Sequence, residues 1–169
     1  MKKIILIALA MVFALPTFAQ KLSKEEKAAM AKAQYETAVN AINAKAWVII
    51  PSQYQKGDGT LESNVDPAIF VACEGDKMTV QGYICGGSNS QGYLVEFKDY
   101  APTVDKKGNL KLRLVVNGRM MRGTYQITMR NNTNVADVIF TPAGKSPLKF
   151  QGPVVPLAGA NYYKRSNPM

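Results

Sequence analysis

Three short turn signals divide much of this chain into runs in which every second residue is apolar. Gly75-Asp76, Asn117-Gly118 and Asn132-Thr133 each stand between two such runs, the pattern of strands with one face in a core. Treated as two-residue hairpin turns, they fix registers that can be checked against side-chain polarity. Gly75-Asp76 sets Cys73 opposite Met78, Val71 opposite Val80 and Ile69 opposite Gly82. Asn117-Gly118 sets Leu114 opposite Met121, Leu112 opposite Gly123 and Leu110 opposite Tyr125. Asn132-Thr133 sets Met129 opposite Ala136, Ile127 opposite Val138 and Tyr125 opposite Phe140. Each register collects its apolar partners on one side, whereas a slip of one residue would turn every side chain over.

Other segments extend the meander. "WVIIPSQYQ" is a short strand closed at or soon after Pro51, "KGDGTLESNVDP" reads as a surface loop, "GYLVEF" precedes the long strands, and "PLKFQG" follows the turn from Thr141 to Ser146. The fold class is therefore mainly β (α+β), an antiparallel meander of about eight strands. A twisted sheet of that size curls into a barrel or a two-layer sandwich. The tail "GPVVPLAGANYYKRSNPM" reads as irregular, since its prolines limit it to edge pairing.

One helix precedes the strands. Ser23-Lys24-Glu25-Glu26 has the form of a capping box. From Ala28 to Ala46 there is no Gly or Pro, and Ala31, Tyr35, Ala38, Ile42 and Ala46 recur on one face. Small residues there let the helix lie close against a sheet, covering an edge or an open end. A membrane-binding amphipathic helix would want bulkier apolar residues and a more basic polar face.

Ahead of the helix, Lys2 and Lys3, the apolar run Ile4 to Leu15 and the small residues ending at Ala19 form a secretory signal. The run falls short of the roughly 20 residues that span a bilayer, and no cysteine follows Ala19 to carry a lipid. The expected organisation is a signal over 1–19, a helical segment over 20–46, a β domain over 47–157 and a tail over 158–169. The product is an exported protein, periplasmic or extracellular, with no transmembrane anchor. A processed chain of this length buries roughly 68–70% of its unfolded surface, enough for one core without metal or disulfide staples.

The formal charge of +9 falls to +7 once Lys2 and Lys3 are removed. It is carried by scattered lysines and arginines, so an anionic envelope surface is a more natural partner than nucleic acid. Histidine is absent. That excludes every chemistry in which imidazole is base, triad member or metal ligand, and no cofactor or metal is expected.

In order along the chain, "FVACEGDKMTVQ", the Gly-rich "GGSNSQG", "YAPTVDKKGNLKLRLVVNG", "YQITMRNNTNVADVIF" and "LKFQGPVVPL" resemble the exported bacterial proteins of domain-of-unknown-function family 4251, frequent in Bacteroidetes. The resemblance spans roughly Trp47 to Leu157. It implies an exported β domain, and its motifs are turns and core strands that carry no catalytic signature. The Gly-rich loop is shorter here than is usual in that family.

The Asn117-Gly118 register places Arg113 directly across from Arg122, with Lys111 diagonal to the pair. Facing like charges cost a few tenths to about 1 kcal/mol. Three arrangements offset this: both guanidinium groups reach into water, Asp137 or Glu96 neutralises them, or Lys111, Arg113 and Arg122 hold an anion such as a phosphate or an acidic sugar. Cys73 and Cys85 lie too far apart in the hairpin register for a disulfide unless the second strand bends back after Gly82 or barrel closure brings its end round. Otherwise they are buried thiols, and without histidine neither has an activating base.

"CGGSNSQGY" has the glycines of a phosphate cradle but neither a following helix nor a Lys-Ser/Thr pair. It reads as a hairpin connection, with a lid over a barrel mouth as the alternative. Among carboxylates, Glu74 with Asp76, Glu96 with Asp99, and Asp58, Glu62 and Asp66 sit near turns and read as solvated. Tyr83, Tyr93, Tyr162 and Tyr163 either cover core ends or supply a recognition surface. The leading functional expectation is a non-enzymatic envelope domain that binds a partner, whether envelope protein, glycan or lipid. The alternatives are a small barrel carrying an apolar ligand among Met78, Gly82, Met121, Gly123 and Met129, and, more weakly, a carboxylate-dependent hydrolase.

Overall fold

The computed structural model describes residues 23–165, so the secretory signal falls outside the described residues. Helix α1 (Lys24–Asn43) starts as its capping box dictates. Ser23 Oγ accepts from the Glu26 amide at 3.1 Å, and the Ser23 amide donates to Glu26 Oε2 at 2.8 Å. The helix ends before Ala46, because Lys45 adopts a positive φ of 52° that turns the chain and starts β1 (Ala46–Ile49) at Ala46 itself. Ala38, Ala41 and Ile42 are buried, while Ala31 and Tyr35 are half-buried.

After β1 come β2 (Gln53–Gln55), β3 (Leu61–Ser63), β4 (Phe70–Glu74), β5 (Lys77–Gln81) and a short 3-10 turn at Tyr83–Cys85. The long strands β6 (Tyr93–Val104), β7 (Leu110–Asn117), β8 (Arg122–Met129), β9 (Val135–Pro142) and β10 (Leu148–Pro156) complete the chain. Neighbours pair antiparallel in the order β1-β4-β5-β6-β7-β8-β9-β10, and β10 pairs back onto β1. The sheet is thus a closed eight-strand barrel rather than a sandwich. β2 and β3 form an extra hairpin alongside β10, so part of the segment expected as a surface loop is strand.

Two of the three expected registers form. Cys73 faces Met78 and Val71 faces Val80 around Gly75, whose φ is 61°. Met129 faces Ala136, Ile127 faces Val138 and Tyr125 faces Phe140, with Asn132 at a φ of 57°.

The middle register differs. Leu114 pairs with Tyr125, Leu112 with Ile127 and Leu110 with Met129, so each partner lies four positions further on. Neither Asn117 nor Gly118 has the positive φ that a two-residue type I′ turn requires. Residues 118–121 form a longer connection instead, with the Gly118 amide donating to Met121 O at 2.8 Å and Met121 buried. A slip of four is even, so the inward and outward faces survive while every pairing changes.

A second difference concerns the tail. Gly152 to Pro156 lie inside β10, which pairs with β9, with β2 and, beyond Gly152, with β1. Pro153 is the last pair of the β9 ladder and Pro156 the last of the β1 ladder, so neither missing amide interrupts a ladder interior. A Cβ at Gly152 would lie 2.3 Å from Ile50 O, which is how the strand passes the bend between β1 and β2. Beyond Pro156 the chain is irregular. Leu157, Ala160 and Tyr162 cover Val48, Phe70 and Ala72 on the outer wall. The buried Gln81 fixes this strap, donating to Ala68 O and to Tyr163 O (3.0 Å) and accepting from the Arg165 amide (3.1 Å).

Trp47, Met78, Leu112, Leu114, Tyr125, Ile127, Met129, Val138 and Phe140 occupy the barrel interior together, each at most 2% exposed. α1 covers one end. Tyr35 of the helix donates to Gly108 O in the β6–β7 turn at 2.5 Å, and Tyr100 donates to Ile42 O at 2.5 Å. Tyr100 reaches the helix because β6 is bulged between Lys98 and Ala101, where Asp99 takes a φ of 58°.

Candidate functional site

The end of the barrel opposite the helix is formed by the Gly-rich segment after β5 and by the β7–β8 and β9–β10 connections. The Gly-rich segment turns inward: Ile84 and Cys85 are buried, and Tyr125 inside the barrel donates to Cys85 O at 2.6 Å. Gly86, at a φ of 89°, lies so close to the Phe140 ring that a Cβ there would sit 2.3 Å from Cε1. The loop is a plug in the mouth. It has no helix behind it to hold a phosphate.

Above the plug is an open cleft of about 550 Å³, lined on its rim by Arg119, Arg122, Lys145, Ser146 and Tyr83. The three cations are exposed, and none forms an ion pair among the described residues. The two turns that carry them are tied together, the Ala143 amide donating to Arg122 O at 3.0 Å. Their charge therefore sits on a fixed rim.

Lys111, Arg113 and Arg122 are not brought together. Arg122 faces Asn117, and Arg113 faces Gln126 on one side and Ala101 on the other. Arg113 and Arg122 are four ladder positions apart, about 13 Å at the rise of a strand. Lys111 lies at the helix end, 3.5 Å from Asp105 and in a separate cleft with Lys106, Lys107 and Arg130. Asp137 and Glu96 neutralise neither arginine, since Asp137 is 4.0 Å from Arg130 and Glu96 faces Lys77. The anticipated repulsion disappears with the register that implied it. Arg119 and Lys145 escape sequence reasoning because both sit in connections: the four-residue β7–β8 connection sets Arg119 beside Arg122, and the β8–β9 ladder, with Gly123 opposite Pro142, brings Lys145 there. The string "RMMR", residues 119 to 122, was the available signal.

Beside the mouth, Tyr54 donates to Glu62 and lies 3.1 Å from the Tyr83 hydroxyl, and Lys56 pairs with Glu62. Lys56 and Tyr54 hold the Glu62 carboxyl below its ordinary range, while the bond to Glu62 pushes the Tyr54 phenol up. The carboxyls with displaced values, Asp58, Glu62 and Asp105, all move downward through hydrogen bonds and cations. Asp66 pairs with Arg165 at 2.5 Å, and Asp76 with Lys45 at 2.6 Å. A glycosidase needs one carboxyl displaced upward as its general acid, whereas Asp58, Glu62 and Asp105 move the other way.

Both cysteines are free and buried. Burial pushes the Cys73 thiol up to about 12 and Cys85 well above its ordinary value, so neither supplies a thiolate. Among the described residues no group of three or more His, Cys, Asp or Glu could hold a metal ion. No helix among them is long and apolar enough to cross a membrane.

No family model matches the chain, and no curated protein does. Solved structures do match, among them a DUF4251 family protein from Bacteroides eggerthii, at a TM-score of 0.65 and 23% identity. That match covers 79% of this chain and 95% of the Bacteroides eggerthii chain. The chain resembles the DUF4251 family. At that identity the likeness establishes the fold, a DUF4251-like barrel, and brings no activity with it. The turn and strand motifs between Trp47 and Leu157 that carry the sequence resemblance build the barrel walls. The residues of the basic rim lie outside the quoted motifs, except for the glycines of the plug.

Proposed function

We propose that this chain is an exported, non-enzymatic envelope domain that binds an anionic component of the bacterial envelope at the mouth of its barrel. The observation that carries the reading is the rim of Arg119, Arg122 and Lys145, three cations without carboxylate partners among the described residues, around a cleft of about 550 Å³. Cations held on fixed turns are organised for an anion before it arrives, which lowers the cost of binding. The filled interior supports a surface mode over a luminal one. Leu112, Leu114, Ile127, Val138 and Phe140 occupy the space an apolar cargo would need, α1 covers one end, and Ile84 with Cys85 fills the other.

The test is titration of the protein with inorganic polyphosphate as a soluble anionic probe. Replacing Arg119, Arg122 and Lys145 together by Ser is expected to abolish binding. Replacing Lys106 and Lys107 at the opposite end is expected to leave it in place. Equal loss from both variants would mean that net charge, rather than the mouth, attracts the probe. Export is tested separately by mass analysis of the protein recovered from the cell envelope, which is expected to begin at Gln20.

A further inference from the structure

The rim of the mouth is not only basic. Met120 is 56% exposed at the tip of the β7–β8 connection, between Arg119 and Arg122. Leu94, 42% exposed on β6, lies beside it, and the two share a shallow groove of about 400 Å³ with Val95 and Arg119. The tip is rigid. Gly118 packs so closely that a Cβ there would stand 2.6 Å from Val95 Cγ1, and Met121, next in the chain, is buried at the barrel end. Met120 is therefore held outward, as is Lys145 on the adjoining turn.

We propose that the mouth docks on an anionic phospholipid surface, with Met120 and Leu94 entering the headgroup and acyl boundary while Arg119, Arg122 and Lys145 meet the lipid phosphates. This rests on the anionic-component reading above and names that component. A soluble polyanion would use the cations but leave Met120 and Leu94 in water. A bilayer interface accepts both, since apolar side chains flanked by cations match its layering of hydrocarbon beneath charge. On the flanking elements, Glu62 is paired with Lys56 and Glu96 stands across from Lys77.

The experiment compares co-sedimentation of the processed chain, beginning at Gln20, with phosphatidylcholine vesicles made with and without phosphatidylglycerol. Titration with inorganic polyphosphate runs in parallel. Binding is expected only to the vesicles containing phosphatidylglycerol. Met120→Ser with Leu94→Ser should lower vesicle partition about tenfold and leave polyphosphate affinity unchanged. Arg119→Ser and Arg122→Ser should each lower vesicle partition about fivefold and weaken polyphosphate as well. As a check independent of affinity, the fluorescence of Met120→Trp should shift to the blue when those vesicles are added. Polyphosphate binding without vesicle binding, or vesicle binding indifferent to Met120 and Leu94, would overturn the lipid assignment and leave the anionic reading standing. Absence of both kinds of binding would overturn the two together.

Discussion

Gly86 combines two constraints at one position: a φ of 89° and a Phe140 ring edge 2.3 Å from where a Cβ would be. The ring cannot move away cheaply, because it is 1% exposed and stacked on Tyr125 with centroids 4.4 Å apart. Gly86→Ala is expected to cost about 2 to 5 kcal/mol from backbone strain and overpacking, read as a lower urea midpoint. Gly144→Ala, also at positive φ but with open space around it, should show the strain alone. Asp105 offers a pH test. Its carboxylate accepts from the Asn109 amide (3.0 Å), the Asn109 side chain (3.2 Å) and the Lys107 amide (2.9 Å), which draws its value down to about 2 from 3.8. A folded value below the unfolded one adds stability that is complete above about pH 4 and is lost as pH falls through about 2. The difference in melting temperature between the parent protein and Asp105→Ala should therefore narrow across that window. At this scale the sequence reveals residue type better than company. Arg122 was legible as a candidate for an anion site, but the cations beside it are Arg119 and Lys145, from two connections that the β8–β9 ladder brings together.

Hairpin registers were readable where the turn residue takes up the backbone conformation that makes it a signal. Gly75 and Asn132 both have positive φ, and the pairings they imply form. Asn117-Gly118 carries the same letters, yet the chain buries Met121 at the barrel rim and spends four residues on the connection. Polarity could not expose the error, because a displacement of four leaves Leu110, Leu112 and Leu114 facing inward. A cross-link can. Arg113→Cys with Gln126→Cys places thiols on directly paired, outward-facing residues, and oxidation is expected to join them. Arg113→Cys with Arg122→Cys sets them four ladder positions apart, well beyond the roughly 4.4–6.8 Å that a disulfide allows between Cα atoms. If the second pair cross-links and the first does not, the shorter turn is the real one, and the rim loses the shape that holds Met120 outward. The prolines of β10 misled for a related reason. Pro153 and Pro156 argued against a strand within a sheet, but each stands at the last pair of its ladder, a placement that depends on where the partner strands stop.

Barrel closure divides the molecule into two unlike ends. At the mouth, the plug and the rim belong to connections between strands. At the other end, α1 supplies Ala38, Ala41 and Ile42 to the core and is tied down by the Tyr100 bond to Ile42 O. Tyr100 also accepts from Trp47 Nε1 at 2.9 Å, so helix, bulged β6 and β1 meet at one hydroxyl. The capping box and the small-residue face made the helix legible, but the sequence could not say whether it covered an edge or an end, since that depends on which strands close. If α1 serves as a lid on the lumen, a chain beginning at Ala46 should lose the burial of one Ile and two Ala side chains, about 3 to 5 kcal/mol. It should also admit an apolar dye beside Trp47, detected as quenching of the only tryptophan in the sequence. The mouth would be untouched, so polyphosphate binding by whatever fraction remains folded should persist. A truncated chain with an unchanged urea midpoint and no dye uptake would mean that the strands seal that end themselves. Loss of polyphosphate binding from the folded fraction would instead couple the two ends and make the helix part of the binding apparatus.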